Sequence, residues 1–140
     1  MTRNKKKVLV VDDDELHLYT TKELLKDDRF EVVTHQHGFG VTSLMTQLQP
    51  DLVLLDINMP ALSGDKLATL LCSSSDISHI PIVFYSSNDE DTLRECVATH
   101  GVRGYICKGD INNLKKSVNR YLNLTIGGEE KPDTIHDNLI

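Results

Sequence analysis

The sequence predicts an α/β protein built on a doubly wound parallel sheet of five strands. Short apolar runs alternate strictly with stretches of helical periodicity, five of each. The runs are continuously apolar, as strands covered on both sheet faces require. Carboxylates, hydroxyls and an ammonium collect where several of these runs end.

The elements follow in order. "KVLVV" (7–11) is a β-branched run and predicts the first strand, and residues 14–28 predict a helix with Leu18, Thr21, Leu24 and Leu25 at helical spacing. "FEVVTH" (30–35) predicts the second strand, and "GVTSLMTQL" (40–48) a helix that Pro50 stops. "DLVLLD" (51–56) and "GDKLATLLCS" (64–73) form the third strand–helix unit, and the "SSS" at 73–75 reads as a polar loop. "IPIVFYS" (80–86) leads into "DEDTLRECVATHG" (89–101), a helix with acids in its first turn and a terminal glycine. "RGYICK" (103–108) is the fifth strand. "DINNLKKSVNRYL" (110–122) is the last helix, capped by Asp110, with Ile111, Leu114, Val118, Tyr121 and Leu122 expected to face inward. The domain is expected to span 5–124. "TIGGEEKPDTIHDNLI" (125–140) carries paired glycines, paired glutamates and a proline and is expected to be a flexible tail.

Composition narrows the classes. The 140 residues are 39% hydrophobic and 26% charged, a globular profile, with a formal charge of −6. The acidic balance argues against direct binding of nucleic acid, which wants a basic face. The start "MTRNKKKVLVV" is basic and then apolar, but its apolar run is shorter than the roughly 7–15 residues of a signal peptide. No stretch reaches the ~20 apolar residues of a membrane span, so membrane insertion is not expected. Cys72, Cys96 and Cys107 are odd in number and form no CxxC pair, which fits a reducing, cytoplasmic setting.

In open α/β sheets, ligands bind beyond the carboxyl ends of the strands. There the sequence puts Asp12, Asp13 and Asp14, then Asp56, then Ser86, Ser87 and Asn88, then Lys108. Clustered carboxylates hinder one another's ionisation unless a cation joins them. Hard oxygen donors suit Mg²⁺, and a carboxylate, a cation, a hydroxyl and an ammonium together suit phosphoryl transfer. Asp14 reads first as the cap of the helix that follows. His35 and His37 read as surface histidines, and Cys107 as a packed strand residue.

Four stretches, "VLVVDDDELH", "PDLVLLDINMPALSG", "IPIVFYSSND" and "GVRGYICKGD", resemble in order and spacing the signatures of response-regulator receiver domains. The resemblance covers residues 6 to about 123. It implies a flavodoxin-like (βα)5 fold with strand order 2-1-3-4-5. It implies that Asp56 accepts a phosphoryl group, with Mg²⁺ or Mn²⁺ as cofactor. Asp13 would bind the metal directly, Asp12 mostly through water, and Asp56 and the backbone carbonyl of Asn58 would complete the protein's ligands. Ser86 and Lys108 would contact the phosphoryl group, and Tyr105 would change orientation on activation. Asn58, Ser87 and Asn88 would tune water access. Met59, Pro60 and Gly64 fit the turn into the third helix.

Such domains resemble signalling switches rather than enzymes, apart from phosphorylating themselves and slowly hydrolysing the product. A histidine kinase or histidine phosphotransfer protein would supply the phosphoryl group. A downstream protein would meet the surface of the fourth helix, fifth strand and fifth helix, including Arg94, Arg103, Lys115 and Lys116. A stand-alone domain and a piece of a longer protein both fit the sequence. One departure stands out: Gly109 follows Lys108 where the family usually has a proline after a cis bond. A non-proline cis bond costs about 3–4 kcal/mol, so a trans Lys108–Gly109 bond is expected.

Two other functions fit parts of the pattern. A haloacid-dehalogenase-like phosphatase also uses an aspartate after a strand, but it needs a carboxyl two residues on, where Asn58 stands. A receiver-shaped interaction module that is never phosphorylated would need none of these side chains, and all are present.

Overall fold

Each apolar run forms a strand and each periodic stretch a helix. The structure, a computed structural model, describes residues 5–60, 62–109 and 111–122. The cap expected at Asp110 and the tail expected at 125–140 lie outside the described residues. The strands are β1 (Lys6–Val11), β2 (Phe30–His35), β3 (Leu52–Leu55), β4 (Ile82–Ser86) and β5 (Gly104–Cys107). The helices are α1 (Glu15–Leu24), α2 (Val41–Leu48), α3 (Gly64–Cys72), α4 (Glu90–His100) and α5 (Ile111–Tyr121). All strand pairs are parallel, in the order β2-β1-β3-β4-β5. Both predictions, the fold class and the strand order, hold.

Alternate residues of each strand enter two separate cores. Leu9, Val11, Val53, Leu55, Phe84 and Tyr105 pack with Val41, Met45, Leu67, Leu71 and Leu93 of α2, α3 and α4. Val8, Val10, Leu52, Leu54, Val83 and Ile106 pack with Leu18, Leu114, Val118 and Tyr121 of α1 and α5. The sheet is buried on both sides, which is why its strands show no polar alternation.

Two details differ from the sequence expectation. Helix α1 ends at Leu24 rather than continuing to 28. The Asp27 carboxylate accepts the Arg29 N–H at 2.9 Å and the Phe30 N–H bonds the Asp27 carbonyl, so the chain turns into β2 early. Ile111 is 53% exposed rather than inward-facing. It begins α5 and lines an open groove with Leu16, Thr20, Leu24 and Tyr85. The Lys108–Gly109 bond is trans, as expected; no cis bond occurs among the described residues.

The α1–β2 turn is also an electrostatic joint. Asp27 pairs with Arg29 at 3.2 Å and with Lys115 of α5 at 3.3 Å, and Lys115 also donates to the Lys26 carbonyl. The Arg29 guanidinium and backbone N–H hold the Asp27 carboxyl well below the usual range. A depressed carboxyl contributes stability above its unfolded-state pKa and loses it as pH falls toward the folded-state value. Asp27→Asn is therefore expected to lower stability at pH 7 by about 1 kcal/mol. The gap to wild type should narrow below about pH 4 in urea melts. A gap that stays constant down to pH 2 would contradict this.

Candidate functional site

The register of the sheet brings the functional side chains to one edge. Val11 lies beside Leu55, Leu55 beside Phe84, and Ser86 beside Cys107. Backbone bonds continue the ladder by one step: the N–H groups of Asp12, Asp56 and Lys108 donate to His35, Val11 and Ser86 carbonyls at 3.2, 3.0 and 3.0 Å. Asp12, Asp56, Ser86 and Lys108 thus leave the sheet together.

Asp12, Asp13 and Asp56 each offer a carboxylate oxygen within 4.8 Å of the other two. Their engagements differ. Asp12 Oδ1 accepts the Asp14 N–H at 2.9 Å, and Asp12 Oδ2 accepts from Lys108 Nζ at 2.5 Å. Among the described residues, no hydrogen bond or ion pair engages the Asp13 carboxylate. Asp14 turns away: its Oδ1 accepts from the N–H groups of Leu16 and His17 at 2.9 and 3.3 Å, as a helix cap does.

Asp56 is 5% exposed. Burial pushes its carboxyl above the usual range, and the Asp12 charge pushes the same way. The Lys108 ammonium at 3.5 Å and the Asn58 N–H at 3.3 Å pull it back. A buried carboxylate held among opposing charges is poised to gain from an added cation. Three hard oxygen donors at this spacing fit a hard divalent cation such as Mg²⁺, which Asp12, Asp13 and Asp56 would hold.

Three polar side chains from the strand ends beside Asp56 bond to one another. Ser86 Oγ donates to Asn88 Oδ1 at 2.6 Å. Asn58 Nδ2 donates to the same oxygen at 2.5 Å and stands 3.3 Å from Ser86 Oγ. The loops after β3 and β4 are joined through these amides.

Most of the expected site residues meet, but two do not. Ser87 is exposed and makes no hydrogen bond among the described residues. Tyr105 is 1% exposed and lies in the core on the α4 side, its hydroxyl donating to Glu90 Oε2 at 2.9 Å. Burial and the Glu90 carboxylate raise its phenol to about 12. His17 was missed: its Nδ1 lies 3.0 Å from Lys108 Nζ. The available signal was its position in the first turn of the helix after the acidic strand end. His35 Nε2 contacts the Phe39 carbonyl at 2.9 Å, and its ring stands edge-on to that of His37 with centroids 6.0 Å apart.

Strand order and site together define a doubly wound α/β protein whose carboxylate centre lies beyond the strand ends. A family model described as the response regulator receiver domain matches residues 8–119. Protein PilH of Pseudomonas aeruginosa is 30% identical over 117 residues, covering 83% of this chain and 97% of its own. The polar-differentiation response regulator DivK of Brucella anthropi is 29% identical over 107 residues, 74% of this chain and 84% of its own. The solved structure of Vibrio cholerae chemotaxis protein CheY4 superposes with a TM-score of 0.76 at 23% identity, covering 84% of this chain and 99% of its own. The chain belongs to the response-regulator receiver family.

Receiver domains are signalling switches, generally not classed as enzymes, and typically bind Mg²⁺ through an acidic pocket. They interact with histidine kinases or phosphotransfer proteins and with downstream partners. The phosphatase alternative is not supported. No helix among the described residues is long and apolar enough to cross a membrane.

Proposed function

We propose that Asp56 accepts a phosphoryl group from a phosphohistidine on a kinase or phosphotransfer protein. The carrying observation is the buried Asp56 carboxylate, which faces two other carboxylates, an ammonium and a hydroxyl. An Asp56 oxygen forms the new P–O bond as the P–N bond to the donor imidazole breaks. Asp13 would hold the metal directly, because its carboxylate has no other engagement among the described residues. Asp12 would act mostly through water, since both its oxygens are occupied. Asp56 and the Asn58 carbonyl would complete the protein's ligands. Mg²⁺, when bound, neutralises charge between the carboxylates and the incoming phosphoryl group. Lys108 contributes the second positive charge.

Switching follows from competition for hydrogen bonds. The Ser86 hydroxyl is spent on a neutral amide oxygen. A phosphoryl group on Asp56 is a stronger, charged acceptor and draws that hydroxyl inward. Tyr105 is already inside, so the change it reports is at its hydroxyl and Glu90, on the α4-β5-α5 face. That face carries Arg94, Arg103 and Lys116 toward a downstream protein. Lys115 does not belong with them, being turned to Asp27. Asn58 and Asn88 tune hydrolysis by covering the approach to Asp56, while Ser87 has no comparable contact. The domain is read as 5–124, working in the cytoplasm.

The test is incubation with acetyl phosphate and Mg²⁺, followed by intact mass and peptide mapping. One added phosphoryl group on Asp56 is expected. No mass gain, or a gain mapped elsewhere, would overturn the reading in favour of an unphosphorylated interaction module.

A further inference from the structure

Lys108 directly follows β5, and the residue after it is a glycine, which does not fix the backbone. Gly109 is exposed, and a Cβ built there would meet nothing within 4 Å. A lysine is a flexible four-carbon stem with three rotatable donors. On so loose a turn its nitrogen would sweep a wide volume. Yet the side chain is only 11% exposed and its nitrogen has three takers. Asp12 lies at 2.5 Å, His17 Nδ1 at 3.0 Å and Asp56 at 3.5 Å.

We propose that His17 is a positioning residue for Lys108, its Nδ1 accepting a hydrogen bond that holds the ammonium at the mouth of the carboxylate cluster. This rests on the reading of Asp56 as phosphoacceptor.

An ammonium has donors and no acceptor, so the nitrogen that faces it must be the acceptor of the imidazole, with the ring proton on Nε2. The same Nδ1 lies 3.6 Å from Asp12 and 3.7 Å from Asp14, farther than from Lys108. Lys108 is therefore its hydrogen-bond partner. The placement of His17 is itself fixed, because Asp14 caps α1 by accepting the His17 N–H. The third aspartate of the "DDD" run thus acts on the site at one remove: it sets the first turn, and the first turn sets His17.

The chemistry gives the contact a use that a third carboxylate would lack. Carboxylates neutralise the ammonium they hold and compete with an incoming phosphoryl group for its charge. An uncharged acceptor fixes the nitrogen's position while leaving the charge in place. His17 does locally what a stiff residue after Lys108 would do through the backbone.

The test compares His17→Leu, which removes the acceptor, with His17→Asn, whose Oδ1 occupies nearly the place of Nδ1. His17 is 47% exposed, so both variants are expected to fold, checked by thermal unfolding. Two readouts are used. The first is the rate of Asp56 labelling by acetyl phosphate with Mg²⁺. The second, independent of phosphorylation, is the reactivity of the Lys108 amine toward trace acetylation, mapped by peptide mass. His17→Leu should slow labelling roughly tenfold, the size of one hydrogen bond to a charged group. It should also make Lys108 more reactive, and His17→Asn should restore both. Wild-type values in His17→Leu, or equal losses in Leu and Asn, would overturn the proposal. If wild type is not labelled, the Asp56 reading fails, while the acetylation readout still decides whether His17 restrains Lys108.

Discussion

Asp13→Ala is expected to abolish Mg²⁺-dependent labelling of the protein by acetyl phosphate. Three acids follow β1, and their hydrogen bonds give each a different task. Among the described residues no hydrogen bond or ion pair engages the Asp13 carboxylate, which lies within 4.8 Å of those of Asp12 and Asp56, so on the proposed reading it is the direct ligand. Altering only a residue that supports a ligand typically costs about 10–100-fold in metal affinity, and losing the ligand itself should cost more. Asp12→Ala should weaken labelling in another way. It frees the Asp14 N–H and takes from Lys108 its closest partner. Asp14→Ala should leave labelling within a few-fold of wild type, the residue acting through α1 and His17 rather than through metal. A Mg²⁺ titration of the labelling rate in the three variants separates the tasks. Equal losses in Asp13→Ala and Asp14→Ala would refute the division.

This division was partly legible in the sequence. An acid directly after "VLVV" or "LVLL" must emerge at a strand end, and parallel strands emerge on the same edge. Asp12, Asp56, Ser86 and Lys108 were therefore readable as neighbours from the alternation alone. The cap role of Asp14 was readable because it depends only on residues two and three positions on. Contacts between elements that are not adjacent in sequence were not readable. Lys115 reaches the α1–β2 turn across 89 residues, and His17 reaches Lys108 across 91. Periodicity says which face of a helix is buried, but not how far the helix is rotated or shifted against its neighbour. Ile111 failed for the same reason: it fits the apolar face of α5, yet its place at the helix start leaves it in an open groove. Glu90 drew notice only as a first-turn acid suited to the dipole, because its pairing with the Tyr105 hydroxyl depends on how α4 lies on β5.

Gly64→Ala is expected to be among the most damaging single-methyl changes in the protein. Gly64 opens α3, where helix propensity alone would favour alanine by up to about 1 kcal/mol. The local packing predicts the opposite sign. A Cβ at Gly64 would lie 1.9 Å from the Asp56 carbonyl oxygen, 2.7 Å from its carbonyl carbon and 2.8 Å from Ile57 Cα. All three are backbone atoms, so no rotamer change relieves the overlap. The strand exit or the start of α3 must move, and the Gly64 N–H bond to the Ile57 carbonyl at 2.9 Å ties the two together. Overpacking in well-ordered cores costs about 1–3 kcal/mol, and a clash confined to backbone should reach or exceed the upper end. The site suffers with the fold, because the atoms displaced are those of Asp56. Urea melts of Gly64→Ala should show a clearly lowered midpoint, with slower Asp56 labelling in the fraction that stays folded. Gly109→Ala serves as the matched control, since its Cβ meets open space and should leave the midpoint unchanged or slightly raised. A Gly64→Ala midpoint at or above wild type would mean that propensity outweighs the contact, and that the β3–α3 turn is looser than its hydrogen bonds indicate.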